Sequence, residues 1–279
     1  MENYKRLTGD LLVEFFSEEI PARMQFQSGV HLEESFKKAF DKKDIRFGEI
    51  EIFTGPRHLA IIIKQLDLKQ QDQIIEKRGP RFDANEKALN GFLNSNDICL
   101  IDTEIKDTKN GKFHFYIKKI KGLETKKIIP EIIHEIIYGF VWSKSQRWGG
   151  TELRWARPLR NILLLLNDKV VEGDLELGNS EVIKFTNYTY GHRHYDKKIK
   201  IDYISDYQKI LLQNYVILNR DDRKHKISND LKILLTKNKL SLMDDPILLE
   251  EVTGLVEFPN VMLGSISDEF MGLPPEVLS

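Results

Sequence analysis

Trp142, Trp148 and Trp155, all the tryptophans of the chain, fall in one short stretch that also carries Lys144, Arg147, Arg154, Arg157 and Arg160 against a single acid, Glu152. Guanidinium groups fork onto phosphate oxygens and indole faces stack on unpaired bases, so this interleaving suits RNA. The same composition fits a domain junction somewhat better, because tryptophans are mostly packing residues and arginine stems cover them. Three smaller clusters carry similar chemistry. Lys77, Arg78 and Arg81 surround Gly79-Pro80 and read as a compact basic turn, where a glycine lets backbone amides approach an anion. Arg57 and His58 follow Gly55-Pro56, and His192, Arg193 and His194 sit among Tyr188, Tyr190 and Tyr195. Each could face RNA.

Other chemistries fit less well. No phosphate-binding Gly-x-x-x-x-Gly-Lys-Ser/Thr loop, no Gly-x-Gly-x-x-Gly fingerprint and no His-Glu-x-x-His pair occurs. His192 and His194 could point the same way from a strand, but the guanidinium of Arg193 between them repels a cation, so no metal site is expected. Ser17-Glu18-Glu19 could be read as paired catalytic carboxylates; acids just before a proline read more simply as the start of a helix. No catalytic residue is assigned.

The elements that must hold these residues are legible from periodicity. Leu11–Phe16 reads as a strand, and a helix follows from about Ala22 to Phe40, with Ser17 and its acids as the cap. Glu49–Phe53 and Leu59–Leu66 are strand-like around the Thr54-Gly-Pro turn, and Ile74–Arg78 is another strand, broken by Gly79-Pro80. Asn85–Asn94 has helical spacing, and Phe113–Ile120 alternates after an Asn110-Gly111 turn. Lys126–Val141 is the clearest helix, with Ile128, Ile129, Ile132, Ile133, Ile136, Ile137 and Phe140 on one stripe and Pro130 tolerated in its first turn. Asn161–Asn167 and Lys169–Val171 pair as strands, Tyr203–Gln213, Asp221–Lys239 and Asp244–Thr253 are helical, and Leu255–Leu263 closes as an edge strand around Pro259. The pattern is α+β, with mixed helices and largely antiparallel sheets in two domains, 1–148 and 149–279, meeting at Gly149-Gly150.

Lys and Arg total 42 against 43 Asp and Glu, so RNA contact would have to come from local patches. The lone Cys99 suits a reducing compartment, and the longest apolar run, Ile162–Leu166, is too short to span a bilayer, so the expected location is the cytoplasm. The end at Leu273-Pro-Pro-Glu-Val-Leu-Ser279 has no cap, basic last turn or polar tail, and reads as a cut.

Taken in order, several blocks resemble the beta subunit of the bacterial heterotetrameric glycyl-tRNA synthetase. They are Leu11-Leu-Val-Glu-Phe-Phe-Ser-Glu-Glu-Ile-Pro-Ala-Arg23, Thr54-Gly-Pro-Arg-His-Leu-Ala60, Lys77-Arg-Gly-Pro80 with Lys87-Ala-Leu-Asn-Gly-Phe92, and Arg147-Trp-Gly149 with Arg157-Pro-Leu-Arg160. Gly191-His-Arg193, Leu248-Leu-Glu-Glu-Val-Thr-Gly-Leu-Val-Glu-Phe-Pro259 and Phe270-Met-Gly-Leu-Pro-Pro-Glu-Val-Leu278 complete the series. This sequence departs from the family pattern at Gly55, His58 and His194-Tyr195. The resemblance implies a front piece of the beta subunit, which contributes to tRNA binding and subunit assembly and is inactive alone. It implies an alpha subunit that carries the site for ATP, with Mg, and glycine. It also implies glycine tRNA as a partner, and HD-like and anticodon-binding domains beyond the region corresponding to Ser279. The second domain is expected to be similar to the editing-module fold of the phenylalanyl-tRNA synthetase beta subunit, which leaves hydrolytic editing of mischarged tRNA, through groups such as His192, His194 and Glu257, as an alternative, beside a purely structural scaffold.

Overall fold

Leu11-Leu-Val-Glu-Phe-Phe16 is apolar on both faces except at Glu14, the composition of a strand covered on two sides. It forms the middle of β1 (Thr8–Ser17) in a computed structural model that describes residues 7–195 and 197–274. The end of the last block of the series, from residue 275 on, lies outside the described residues.

The described chain is α+β and divides into two compact units, residues 126–279 with 1–68, and residues 69–125. Gly149 and Gly150, the junction expected from the sequence, lie within the larger unit. In that unit β1 leads into α1 (Ala22–Lys42), then β2 (Ile50–Thr54) and β3 (His58–Asp67). The smaller unit contains β4 (Gln73–Arg81), α2 (Glu86–Asn96), β5 (Thr103–Thr108) and β6 (Gly111–Ile120), its strands ordered β4-β6-β5 and all antiparallel. Asn85 caps α2 by accepting from the Ala88 amide, and the Asn110-Gly111 turn joins β5 to β6 as expected.

The larger unit resumes with α3 (Thr125–Gly139), β7 (Leu159–Leu166), β8 (Lys169–Val170), β9 (Asp174–Gly178), β10 (Glu181–Thr186), β11 (Tyr188–Tyr190) and β12 (Lys198–Lys200). It ends with α4 (Tyr207–Gln213), α5 (Arg220–Asn238) and α6 (Pro246–Leu255). Its main sheet runs β2-β3-β1-β7-β10-β9, with β8 on β7; among the described residues only β7 and β10 pair in parallel, and β11 and β12 form a separate hairpin.

Period-two alternation sorts the sheet into two cores. Leu11, Val13 and Phe15 of β1, Leu59, Ile61 and Ile63 of β3, and Ile162 and Leu164 of β7 face one core, which the apolar stripes of α1 and α3 share. Leu12 of β1, Ala60 and Ile62 of β3, and Leu163 and Leu165 of β7 face the other, closed by Ile199, Ile201, Ile204, Tyr207 and Leu211. Each fully buried aliphatic or phenyl side chain stabilises the fold by about 1.5–3 kcal/mol relative to exposure.

Several expectations are corrected. Lys77–Arg81 is not a turn: β4 continues through Gly79-Pro80 to Arg81, and the register against β6 shifts between Arg78 and Arg81, a bulge that absorbs the proline. Leu255–Leu263 forms no strand; α6 takes Leu255, and the residues after it are irregular. Ser17 and Glu18 do not cap α1, whose first turn follows Pro21 with no side-chain cap; Ser17 ends β1 instead. Pro130 lies inside α3, beyond its first turn. The strands β9 to β12 were not anticipated, since their short polar alternation is interrupted by turn residues.

Candidate functional site

The alternation that sends Leu12 and Phe16 to the second face of the sheet sends Glu14 there too, opposite Ala60 on β3 and Leu163 on β7. A carboxylate in that position is fully buried and must be satisfied by side chains. Glu14 Oε2 lies 2.9 Å from His58 Nδ1 and accepts from the Tyr207 hydroxyl, while Oε1 accepts from the Thr189 hydroxyl. His58, Thr189 and Tyr207 come from β3, β11 and α4, so one buried acid joins three elements to β1.

A second buried acid meets the first across the imidazole. Glu257, just beyond α6, receives both prongs of Arg57, with Nε to Oε1 and Nη2 to Oε2 at 2.8 Å each, and its Oε1 is 3.6 Å from His58 Nε2. Arg57 also donates to the Gly191 carbonyl at 2.7 Å, and the Arg193 amide donates to Glu257 at 3.3 Å. Burial alone would lower the pKa of His58, but the charge and hydrogen bond of Glu14, reinforced by Glu257, raise it to about 9. Burial would likewise raise Glu257, but the close approach and charge of His58 and the two-pronged hydrogen bonds and charge of Arg57 hold it at about 2. Burial, with the nearby Glu14, pushes the Tyr207 phenol well above its ordinary value. The result is a sequestered set of alternating charges.

Arg223 of α5 is a further buried charge, close enough to Glu257 to feel its field. Its guanidinium donates to the carbonyls of Ile217, Leu218, Thr253 and Thr54, and burial, aided by the Arg220 charge, lowers its pKa to about 10. It thus ties the β2–β3 turn to the start of α5 and the end of α6.

Above this network is a cleft of about 190 Å³, lined by Phe16, Glu18, Glu19, Arg57, Arg160, Tyr190 and Arg193. Phe16 and Tyr190 stack at 4.8 Å, and the Arg57 guanidinium lies 5.0 Å from the Phe16 centroid. Of the sequence candidates, the cleft brings together Arg160 and Arg193, which are paired with Glu18 and Glu19. His192 is half-buried beside the cleft residues, and its pKa is lowered chiefly by burial. Arg157 is half-buried and donates to the Ala156 carbonyl. Arg147 is exposed on the turn before Gly149, which has φ +53°, and has no side-chain partner among the described residues.

The indoles mainly pack. Trp155 is fully buried against Phe15, Phe140 and Trp142, while Trp142 and Trp148 lie half-buried against the same core. In the smaller unit, Lys77 donates to Asn96 of α2, Arg78 lies 3.6 Å from the Phe113 centroid, and Arg81 pairs with Asp83.

This arrangement holds charge in place more readily than it transfers a proton. A protonated imidazole gripped by two carboxylates is a poor general base near neutral pH. Among the described residues, no group of three or more His, Cys, Asp or Glu side chains is placed to hold a metal ion, and no helix is long and apolar enough to cross a membrane.

Residues 11–279 match the model of the glycyl-tRNA synthetase beta subunit family. The chain belongs to that family. Among similar curated proteins, the glycine–tRNA ligase beta subunit of Rickettsia peacockii (strain Rustic) is 38% identical over 273 residues, covering 96% of this chain and 40% of the relative. Those of Rickettsia bellii (strain OSU 85-389) and Rickettsia conorii (strain ATCC VR-613 / Malish 7) are also 38% identical, with the same coverage. The chain therefore spans about two fifths of the length of these synthetase-subunit relatives.

For this member of the beta-subunit family, reading the sequence missed Glu14 and Tyr207 altogether and did not pair Glu257 with Arg57. One signal was available for Glu14: a lone acid inside an otherwise apolar strand must be paired if both faces are covered.

Proposed function

We propose that this chain is the front part of a glycine–tRNA ligase beta subunit, contributing to tRNA binding and subunit assembly while an alpha subunit activates glycine with ATP and Mg. The expected partners are that alpha subunit and glycine tRNA, the expected setting is the cytoplasm, and the piece by itself is inactive in aminoacylation. The HD-like and anticodon-binding domains would belong to the rest of such a subunit. The observation that carries this reading is the family match along residues 11–279; exposed Arg147, and the cleft residues Arg160 and Arg193 when released from Glu18 and Glu19, are the guanidinium groups it would use.

Titrating glycine tRNA into the chain at two salt concentrations tests the binding part. Affinity should fall with salt, and changing Arg147, Arg157 and Arg160 to Ala should weaken it by about 10-fold at low salt. Salt-independent binding, or binding unaffected by the three changes, would remove this surface from the reading.

Hydrolytic editing, the role an expected likeness to the phenylalanyl-tRNA synthetase editing module would imply, has less physical support, because Glu257, one of the groups it would use, is buried and held by both prongs of Arg57. A chain that released alanine or serine from mischarged glycine tRNA above background would reverse that preference.

A further inference from the structure

Glu18 and Glu19 are presented to the cleft by a backbone that is fixed at three points. The Ser17 amide donates to the Arg57 carbonyl at 3.0 Å, the Glu18 amide to the Pro158 carbonyl at 2.9 Å, and the Ile20 amide to the Pro56 carbonyl at 2.6 Å. From that strap each carboxylate reaches one arginine of the cleft, Glu18 to Arg160 and Glu19 to Arg193. Those arginines arrive from β7 and from the loop between β11 and β12, so the cleft gathers side chains that are distant in sequence.

The two pairs differ in kind from the pair beneath them. Arg57 and Glu257 keep only 11% and 5% of their side-chain surface exposed, whereas Arg160 and Arg193 keep 61% and 60%, and Glu18 and Glu19 keep 46% and 52%. A buried, two-pronged pair is costly to break; exposed pairs are each worth little and exchange partners readily. The floor of the cleft is therefore permanent, and its rim is exchangeable. A phosphate presents the same planar edge of oxygens to a guanidinium as a carboxylate does and carries at least as much charge.

We infer that the cleft is a binding site for RNA backbone phosphate, with Arg160 and Arg193 as its ligands and with Glu18 and Glu19 occupying them as internal anions until RNA displaces them. This rests on the tRNA-binding reading above and names the site within it. The carboxylates then weaken non-specific attraction to polyanions, because each RNA must first displace a tethered competitor. They also keep two guanidinium groups oriented toward the cleft in the free protein.

The test is an affinity gain on removal of acids. The full chain with Glu18→Gln and Glu19→Gln is titrated with glycine tRNA, with a short single-stranded oligoribonucleotide, and with inorganic phosphate at constant ionic strength. Its matched control, Glu131→Gln with Glu135→Gln, removes the same charge from α3, where those acids pair with Lys43 and Lys42. The E18Q/E19Q chain should bind tRNA and the oligoribonucleotide about 5-fold or more tightly than wild type at low salt, and the control should not. Adding Arg160→Ala and Arg193→Ala to the E18Q/E19Q chain should abolish the gain. Because the strap is held by main-chain hydrogen bonds, circular dichroism of E18Q/E19Q should match wild type.

Equal gains in the two chains, a gain that survives loss of both arginines, or no gain at all would overturn the site. A gain seen with inorganic phosphate but with neither RNA would overturn the assignment to RNA backbone. If wild type binds tRNA and E18Q/E19Q changes nothing, the cleft site falls while the broader reading stands; if no variant binds tRNA, both fall.

Discussion

Arg57 and Glu257, 200 residues apart in sequence, form a two-pronged ion pair that fastens the turn between β2 and β3 to the segment just beyond α6. The pair is almost fully removed from water and also neutralises the environment of His58. Replacing Glu257 by Ala leaves Arg57 and a protonated His58 facing one another without their common acid. Loss of one partner of such a buried pair should cost about 3–5 kcal/mol. Urea denaturation of the E257A chain checks this; a loss below about 1 kcal/mol would mean that water replaces the carboxylate.

The charges around His58 also set a pH dependence. Its pKa is about 9 in the fold against an ordinary 6.5, so its contribution is fully present below pH 6.5 and is lost as pH rises through 9. Glu257, at about 2 against 4.5, contributes fully above pH 4.5 and loses its contribution as pH falls through 2. The stability advantage of wild type over His58→Gln should therefore shrink between pH 6.5 and 9, and that over Glu257→Gln should shrink below pH 4.5. Melting curves across both ranges read the differences directly; a difference constant with pH would exclude the charged pairing.

Trp155 sits fully buried where β1, α3 and the Trp-rich loop meet, with ring centroids of Phe140 and Trp142 at 5.0 and 4.9 Å. Trp155→Ala should cost about 3–5 kcal/mol and should weaken the near-ultraviolet circular dichroism of the aromatic cluster. Trp155→Phe should leave RNA affinity unchanged, since no face of the indole reaches solvent. A specific loss of affinity in a stable Trp155→Phe chain would contradict the packing role.

Gly254 lets α6 approach α1 closely: a Cβ there would lie 2.5 Å from Ala22 Cβ and 2.8 Å from its Cα. Gly254→Ala forces the helices apart and should destabilise the chain by about 1–3 kcal/mol. Because Glu257 lies three residues further on, the variant should also lose part of the pH dependence assigned to His58. Thermal unfolding at pH 6 and pH 9 tests both effects; a fully stable Gly254→Ala chain would mean that α6 can slide freely.

Much of this protein was settled by neighbours in sequence. The four-residue stripe from Ile128 to Phe140 specified α3, and the apolar runs at Leu11–Phe16 and Ile162–Leu166 specified two central strands, because helix and strand periods are local properties of side-chain direction. The ordered family blocks mark membership of the beta-subunit family in the sequence itself. What tertiary structure decided was which polar groups meet. The register of β1 against β3 and β7 carried Glu14 to the same side of the sheet as His58, and the position of α6 brought Glu257 to Arg57. The same packing buried Trp155 and left Arg160 and Arg193 at one cleft. Periodicity tells which side of its own element a residue faces, but the pairing of a charge depends on an element folded against it from far along the chain.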